Sequence, residues 1–203
     1  VIIDTNFLKS LSKKQIKSGY SEIFKHSLIK DKKYFLWLEK NYNNVLNLEE
    51  PFLIQAIYKS IKIKSEIVSK DEKEKHNFLN SRAILNFGHT IGHAIEVMNN
   101  YKNNLTHGEA ISIGMVYAAK ISMNLNYLSF NKANKIREHL INAGLPIKIK
   151  YLNHKKLYNY ITYDKKNINS KIKFILLKDI GKAFVAKNFT LDKFKKNFLE
   201  INK

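Results

Sequence analysis

A mainly helical fold with a small β element is what this sequence predicts, and three observations carry that expectation. Apolar residues recur at three- and four-residue spacing over most of the chain, the period of a helix with one buried face. Serine, proline and glycine stand where such helices should start and stop. Apart from the first four residues, only two short segments, near the end, read as strands.

The elements follow in order. Val1-Ile2-Ile3-Asp4 reads as a strand that begins at once, as in a chain entered in mid-protein. Ser10 or Ser12 can cap a first helix that runs through Gly19 and Glu22 to about Lys30. A second amphipathic segment covers Tyr34 to Leu46. The third starts after Pro51 and continues to about Asp71, with Ile57, Ile61 and Val68 as its apolar stripe. Lys64 falls on that same stripe. A lysine there either has an anionic partner or ligand, or snorkels from the stripe's edge. Asp71 to Asn80 is polar and reads as a loop, and a motif-bearing helix follows it. Glu109 to Leu125 is apolar on nearly all sides and should be a central buried helix. Another helix spans Asn131 to Asn142 and stops at Ala143-Gly144-Leu145-Pro146. Lys173 to Leu177 and Ala183 to Lys187 are the two strands, joined around Ile180-Gly181, and Leu191 to Ile201 is a final helix. No repeat and no linker divides the chain.

Composition narrows the function classes. At 203 residues, 44% hydrophobic and 26% charged, the chain is an ordinary globular domain in size and polarity. It lacks a run of about 18 apolar residues and a signal-peptide pattern, so no membrane partner is expected. With no cysteine, a metal can be held only by histidine and carboxylate, and a reducing cytoplasm is the expected compartment. The net charge of +19 invites a nucleic-acid reading. Yet of 36 basic residues only Arg82 and Arg137 are arginine, and the lysines are spread along the whole chain. Base readers and phosphate clamps favour the arginine fork, so no nucleic-acid partner is expected. A basic field still attracts small anionic substrates.

The most informative stretch is Asn86-Phe87-Gly88-His89-Thr90-Ile91-Gly92-His93-Ala94-Ile95-Glu96, followed after a polar break (Asn99 to Asn104) by His107-Gly108-Glu109. Three of the seven histidines lie here. His89 and His93 are four apart and share a helix face. A catalytic zinc needs about three protein ligands and an open position, and imidazole is its commonest nitrogen donor. A satisfied helical histidine pair is the bland alternative. Gly88 and Gly92 tilt the balance: glycine inside a helix costs about 0.5–1 kcal/mol relative to alanine, so two of them signal a close approach to the backbone.

These residues belong to a longer order of motifs. Gly19-Tyr20-Ser21-Glu22-Ile23-Phe24-Lys25, Lys64-Ser65-Glu66-Ile67-Val68 with Asp71-Glu72, Arg82 through Glu96, His107-Gly108-Glu109-Ala110 and Asp164-Lys165-Lys166 together resemble the carboxyl-terminal, metal-binding domain of the 3-dehydroquinate synthase family. The resemblance runs from Val1 almost to the end. It implies that residues 1–203 are a helical zinc- and substrate-binding domain, preceded in the family by a Rossmann-like domain that carries NAD. It also implies an anionic sugar-acid phosphate as substrate, converted to 3-dehydroquinate with loss of phosphate, and a homodimeric full-length enzyme.

Residue by residue, the resemblance matches Glu22, His89 and His107 to the ligands of zinc, with cobalt as a possible substitute. His93 matches a substrate-contacting histidine rather than a ligand. Lys25, Lys64, Arg82, Asn86 and Lys165 (or Lys166) match positions that hold the substrate's hydroxyls, carboxylate and phosphate. Phe7, Leu8, Lys9 and Ser10 lie where the family touches the adenosine side of the cofactor, although Ser10 and Ser12 stand where threonine and proline are usual. The stretch between Asp71 and Arg82 is longer than the pattern, and no glycine-rich dinucleotide fingerprint occurs. Related cyclases that make deoxy-inosose or valiolone rings share the metal triad and are the nearest rival. A non-catalytic metal-binding domain is the rival from another class.

Overall fold

The computed structural model describes residues 2–73, 82–98, 105–149, 154–166, 174–186 and 189–200, the side chains of 154, 162–166, 191 and 199–200 excepted. A 3-10 turn (Thr5–Ser10) leads into α1 (Lys13–Lys30), α2 (Lys32–Leu46) and α3 (Glu50–Lys70). A second 3-10 turn (Arg82–Asn86) precedes α4 (His89–Met98), α5 (His107–Asn124), α6 (Phe130–Asn142) and α7 (His154–Lys166). An antiparallel pair, β1 (Phe174–Asp179) and β2 (Lys182–Ala186), and α8 (Leu191–Glu200) complete it. The mainly helical expectation holds.

Ser12 is the cap of α1. Its hydroxyl accepts from the Gln15 amide while Gln15 Oε1 accepts from the Ser12 amide at 2.9 Å, a reciprocal capping box. Thr106 and Glu109 repeat the device at the start of α5, where the Thr106 amide donates to Glu109 Oε2 at 2.7 Å. The glutamate of the His-Gly-Glu motif therefore holds a helix end, and Lys14 pairs with it at 3.5 Å.

As expected, α5 is the buried axis. Ala110, Ile111, Ile113, Met115, Ala118, Ala119 and Ile121 are all in the core, and α1, α4, α6, β1 and α8 pack around them. The sheet is tied to this axis by the Leu177 amide, which donates to Ser122 Oγ at 3.0 Å. Its turn is tied to α1 by the Gly181 amide, which donates to the Leu28 carbonyl at 2.8 Å.

The decisive packing is between α4 and α5. Gly88 has φ +80, a left-handed conformation that ends the 3-10 turn and lets α4 start in a new direction. A Cβ on Gly88 would meet Met115, and one on Gly92 would meet Ile111 and the Ala110 carbonyl. From the other side, a Cβ on Gly114 would run into the Gly88 carbonyl. The approach that the motif glycines signal is thus that of one helix to another, not of a ligand. A second contact of this kind joins α5 to α1, where Gly108 lies against the backbone of Ser18 and its amide donates to Ser18 Oγ at 3.0 Å.

Three expectations are corrected, and one helix was not expected. Residues 2–4 form no strand; Ile2 is 98% exposed, and the Asp4 carboxylate accepts from the Asn6 amide at 2.8 Å, opening the 3-10 turn. A local side-chain hydrogen bond wins where no partner strand lies alongside. The buried stripe of α3 is Leu53, Ala56, Ser60, Ile63 and Ile67, so Lys64 and Ile61 are exposed. Small Ala56 and Ser60 let α3 approach α1, and the buried His26 side chain pairs with Ser60 Oγ there. The motif from Arg82 to Glu96 is broken at Gly88 rather than one helix. Finally, α7 has no counterpart among the sequence expectations; it buries Leu157 and Ile161, one turn apart, in a stretch otherwise rich in lysine and tyrosine. The loop expected over Asp71–Asn80 lies outside the described residues beyond Lys73, as do the break at 99–104 and the outer ends of both strands.

Gly114→Ala should lower stability to urea by about 1–3 kcal/mol, the cost of overpacking against a backbone that cannot yield. Gly19→Ala at an exposed position of α1, where nothing lies within 4 Å of the new methyl, should raise it by about 0.5–1 kcal/mol. Equal effects would refute the packing argument.

His139 gives a pH prediction. It is buried, stacked on Phe24 with ring centroids 4.1 Å apart, and hydrogen-bonded to Tyr20 Oη at 2.7 Å. Burial pushes its pKa down from 6.5 to about 4, so the unfolded chain takes up the proton first. The stabilisation is complete above pH 6.5 and is lost as pH falls toward 4, roughly 2 kcal/mol of it by pH 5. Urea unfolding at pH 7 and pH 5 should show a smaller loss in His139→Gln than in the wild type.

Candidate metal and substrate site

Three helices converge on one patch. Glu22 and Lys25 come from α1, His89, His93 and Glu96 from α4, and His107 from the first residue of α5. Gly108 against Ser18 explains why Glu22 and His107 meet: Glu22 is one turn beyond Ser18 and His107 is the residue before Gly108.

Glu22 Oε1 lies 3.8 Å from His89 Nε2 and 3.7 Å from His107 Nε2. It is buried and has no hydrogen-bond partner, whereas Oε2 accepts from Lys25 Nζ at 2.6 Å. The three rings of His89, His93 and His107 cluster with centroids 5.1 to 5.9 Å apart. Their nearest nitrogens all lie within 4.8 Å of one another.

The outward nitrogens are engaged elsewhere. His89 Nδ1 is 3.2 Å from the Phe87 carbonyl, and His107 Nδ1 is 3.1 and 3.2 Å from the two oxygens of Glu96. Each of these acceptors requires the proton on Nδ1, which leaves the Nε2 lone pair facing Glu22.

Electrostatics keep the donors in ligand form. Burial, reinforced by the charge of Lys25 and opposed by Glu22, pulls the His89 pKa down to about 4. Burial also lowers that of His93, against the pull of Glu96. Burial alone would raise the Glu22 carboxyl, but Lys25 and His89 together hold it below the usual range. Lys25 is buried, and desolvation lowers its pKa despite Glu22.

These donors fit a divalent transition ion. Bonds of about 2.0–2.1 Å at tetrahedral angles place ligand atoms about 3.3 Å apart, a few tenths of an ångström less than the two Glu22–histidine separations. A cation between the three would supply the partner that Glu22 Oε1 lacks. His93 lies within the same cluster but has an exposed side chain and no acceptor fixing its Nδ1 among the described residues.

The other residues expected at the site are placed in different ways. The Arg82 amide donates to buried Asp71 at 2.9 Å, and its Nη1 donates to the Glu72 carbonyl at 3.0 Å, fixing the guanidinium against the segment that follows α3. Asn86 is exposed at the end of the same turn. Lys64 is exposed on α3, close enough that its charge depresses Lys25 and His26. Lys165 lies in the last turn of α7, and its side chain is outside the described residues, as are those of Asp164 and Lys166. Phe7, Lys9 and Ser10 form an exposed turn with half-buried Leu8, and share no hydrogen bond or ring contact with the histidines among the described residues.

Sequence reasoning passed over Glu96, although 89, 93 and 96 keep helical spacing on one face and could have flagged it. It also passed over the His26–Ser60 pair, whose partners are 34 residues apart with no local signal.

A family model described as 3-dehydroquinate synthase C-terminal matches residues 19–167. A 3-dehydroquinate synthase of Thermoanaerobacter pseudethanolicus is 44% identical over 186 residues, which cover 92% of this chain and 51% of that protein. One from Pelagibacter ubique is also 44% identical, over 89% of this chain and 49% of its own length. The chain thus spans about half the length of the curated relatives it matches. Among solved structures, 2-deoxy-scyllo-inosose synthase complexed with carbaglucose-6-phosphate, NAD+ and Co2+ superposes with a TM-score of 0.74 at 29% identity, over 97% of this chain and 55% of that one. The 2-epi-5-epi-valiolone synthase of Streptomyces hygroscopicus subsp. jinggangensis, with NAD+ and Zn2+ bound, has a TM-score of 0.85 over 98% of this chain and 54% of that one. At 19% identity it speaks for the fold alone. With the family model covering most of its length, the chain belongs to the 3-dehydroquinate synthase family and corresponds to that family's C-terminal part.

Proposed function

We propose that this chain is the metal- and substrate-binding half of a 3-dehydroquinate synthase, a cytoplasmic enzyme that converts an anionic seven-carbon sugar-acid phosphate to 3-dehydroquinate and phosphate. The observation that carries the reading is the unpartnered Glu22 Oε1 set between two histidine nitrogens, inside a chain of this family. Glu22, His89 and His107 hold a zinc ion, with cobalt as a workable substitute. When bound, zinc supplies Lewis acidity toward an alcohol, and NAD supplies a reversible hydride acceptor. The relatives' double length supports placing most of the dinucleotide contacts outside these 203 residues, with Phe7 to Ser10 at the adenosine edge.

The chain's own side chains bind and orient. Lys25 keeps Glu22 ionised and presents a desolvated cation beside the metal ligands. Arg82 can grip a carboxylate with both nitrogens of its fork, and Lys64 and Lys165 add charge for the phosphate. His93, neutral and exposed beside the ligands, is placed to contact the substrate and pass a proton, and Asn86 to hydrogen-bond a hydroxyl. A cyclase that closes a different sugar phosphate ring is the second reading, favoured by the likeness to 2-deoxy-scyllo-inosose synthase. The curated relatives' higher identity, 37–44%, supports the first.

Elemental analysis after dialysis should find one zinc in the wild type, none in His107→Ala, and most of it in His93→Ala. Equal loss in both variants would move His93 into the ligand set. In the full-length enzyme, Arg82→Ala and Lys64→Ala should each raise KM and lower kcat in a phosphate-release assay, at a cost on the order of 2–5 kcal/mol in kcat/KM. Unchanged kinetics in either variant would place that residue outside the site.

A further inference from the structure

Glu96 stands outside the roles assigned so far, yet its placement is specific. It lies on α4 one turn beyond His93, with its side chain 14% exposed. Both carboxylate oxygens face one atom, His107 Nδ1, at 3.1 and 3.2 Å. His107 has the most exposed side chain of the three groups around Glu22 Oε1, at 45% against 14% for His89 and 32% for Glu22. His89 is held by burial and by the Phe87 carbonyl. His107 has no comparable burial, and among the described residues Glu96 is its one hydrogen-bond partner on the side away from Glu22.

We propose that Glu96 is the positioning residue of the metal centre: its carboxylate accepts a hydrogen bond from the Nδ1–H of His107, fixes the ring, and makes Nε2 a stronger donor toward the ion. Two physical effects combine. An ionised acceptor forms a stronger hydrogen bond than a neutral carbonyl and stops an exposed imidazole from rotating or protonating at the wrong nitrogen. A carboxylate behind the ring also raises the electron density that Nε2 offers, and loss of such a partner typically weakens metal binding about 10–100-fold. The two ligand histidines are thus supported differently, one by a backbone carbonyl and one by a charge. This rests on the ligand assignment proposed above.

The experiment measures Zn2+ affinity of the full-length protein by competition with a chromophoric chelator, and the visible absorption of the Co2+-loaded form, for Glu96→Gln, Glu96→Ala, His107→Ala and the double variant His107→Ala/Glu96→Gln. The expected result is about 10–100-fold weaker Zn2+ binding and an altered Co2+ spectrum in both single Glu96 variants, with thermal melting of the metal-free protein unchanged. In the His107→Ala background, Glu96→Gln should cause no further loss, because the partner through which it acts is gone. Wild-type affinity and spectrum in both Glu96 variants would overturn the proposal. So would an equal loss from Glu96→Gln with and without His107, which marks a structural role. Full metal retention in His107→Ala would instead sink the ligand assignment, and this proposal with it.

Discussion

The approach of α4 to α5, glycine against backbone, is the constraint on which the rest of the site depends. Gly114 leaves room for the Gly88 carbonyl, and Gly88 turns the chain so that α4 lies along α5. A Cβ at Gly114 would run into the Gly88 carbonyl oxygen, and one at Gly88 would sit 2.9 Å from the Met115 amide nitrogen, so a side chain at either position would force the helices apart. Metal coordination tolerates errors of only a few tenths. The separation of His89 and His107 is therefore set by main-chain contact, the least adjustable kind of packing. Gly108 against Ser18 does the same for α1 and α5, and so sets Glu22 against His107.

Around this frame the electrostatics are divided. On one side Glu22 and buried Lys25 form an ion pair whose second carboxylate oxygen, itself buried, is left open. On the other, histidines kept neutral by burial offer lone pairs. Burying a charged lysine is costly, and a carboxylate oxygen buried without a partner adds to that cost. The arrangement makes sense only if something positive completes it, which is why the unpartnered oxygen says more about function than the histidine cluster alone.

Much of this was legible in the chain itself. Helices with a strong apolar face and a capping signal, such as α1, α2, α5 and α6, lie within a few residues of where periodicity places them, because local chemistry and tertiary burial agree. The motif residues Glu22, His89, His93 and His107 do come together. What escaped lies where several frames fit equally well or where the cause is distant. On α3 two overlapping stripes compete, and the one carrying small Ala56 and Ser60 wins because α1 packs there, which no property of α3 alone reveals. Leu157 and Ile161 offer too few apolar positions to announce α7. The motif glycines were correctly read as a sign of close approach, but the partner is a neighbouring helix whose identity depends on topology.

The sequence distances between these groups bear on how the site holds together in time. His89, His93, Glu96 and His107 fall within a segment of 19 residues, whereas the contact that brings α1 against α5 spans 90. Closing the longer loop costs more entropy, though only in proportion to the logarithm of its length, and what repays it is the burial of Tyr20, Phe24 and Leu28 against the rest of the core. A fluctuation that lifts α1 from α5 removes Glu22 and Lys25 together while the histidines keep their mutual geometry. An opening of this kind takes away the carboxylate that faces the histidines and leaves Glu96 with them, and the packing of α1's apolar face is what resists it.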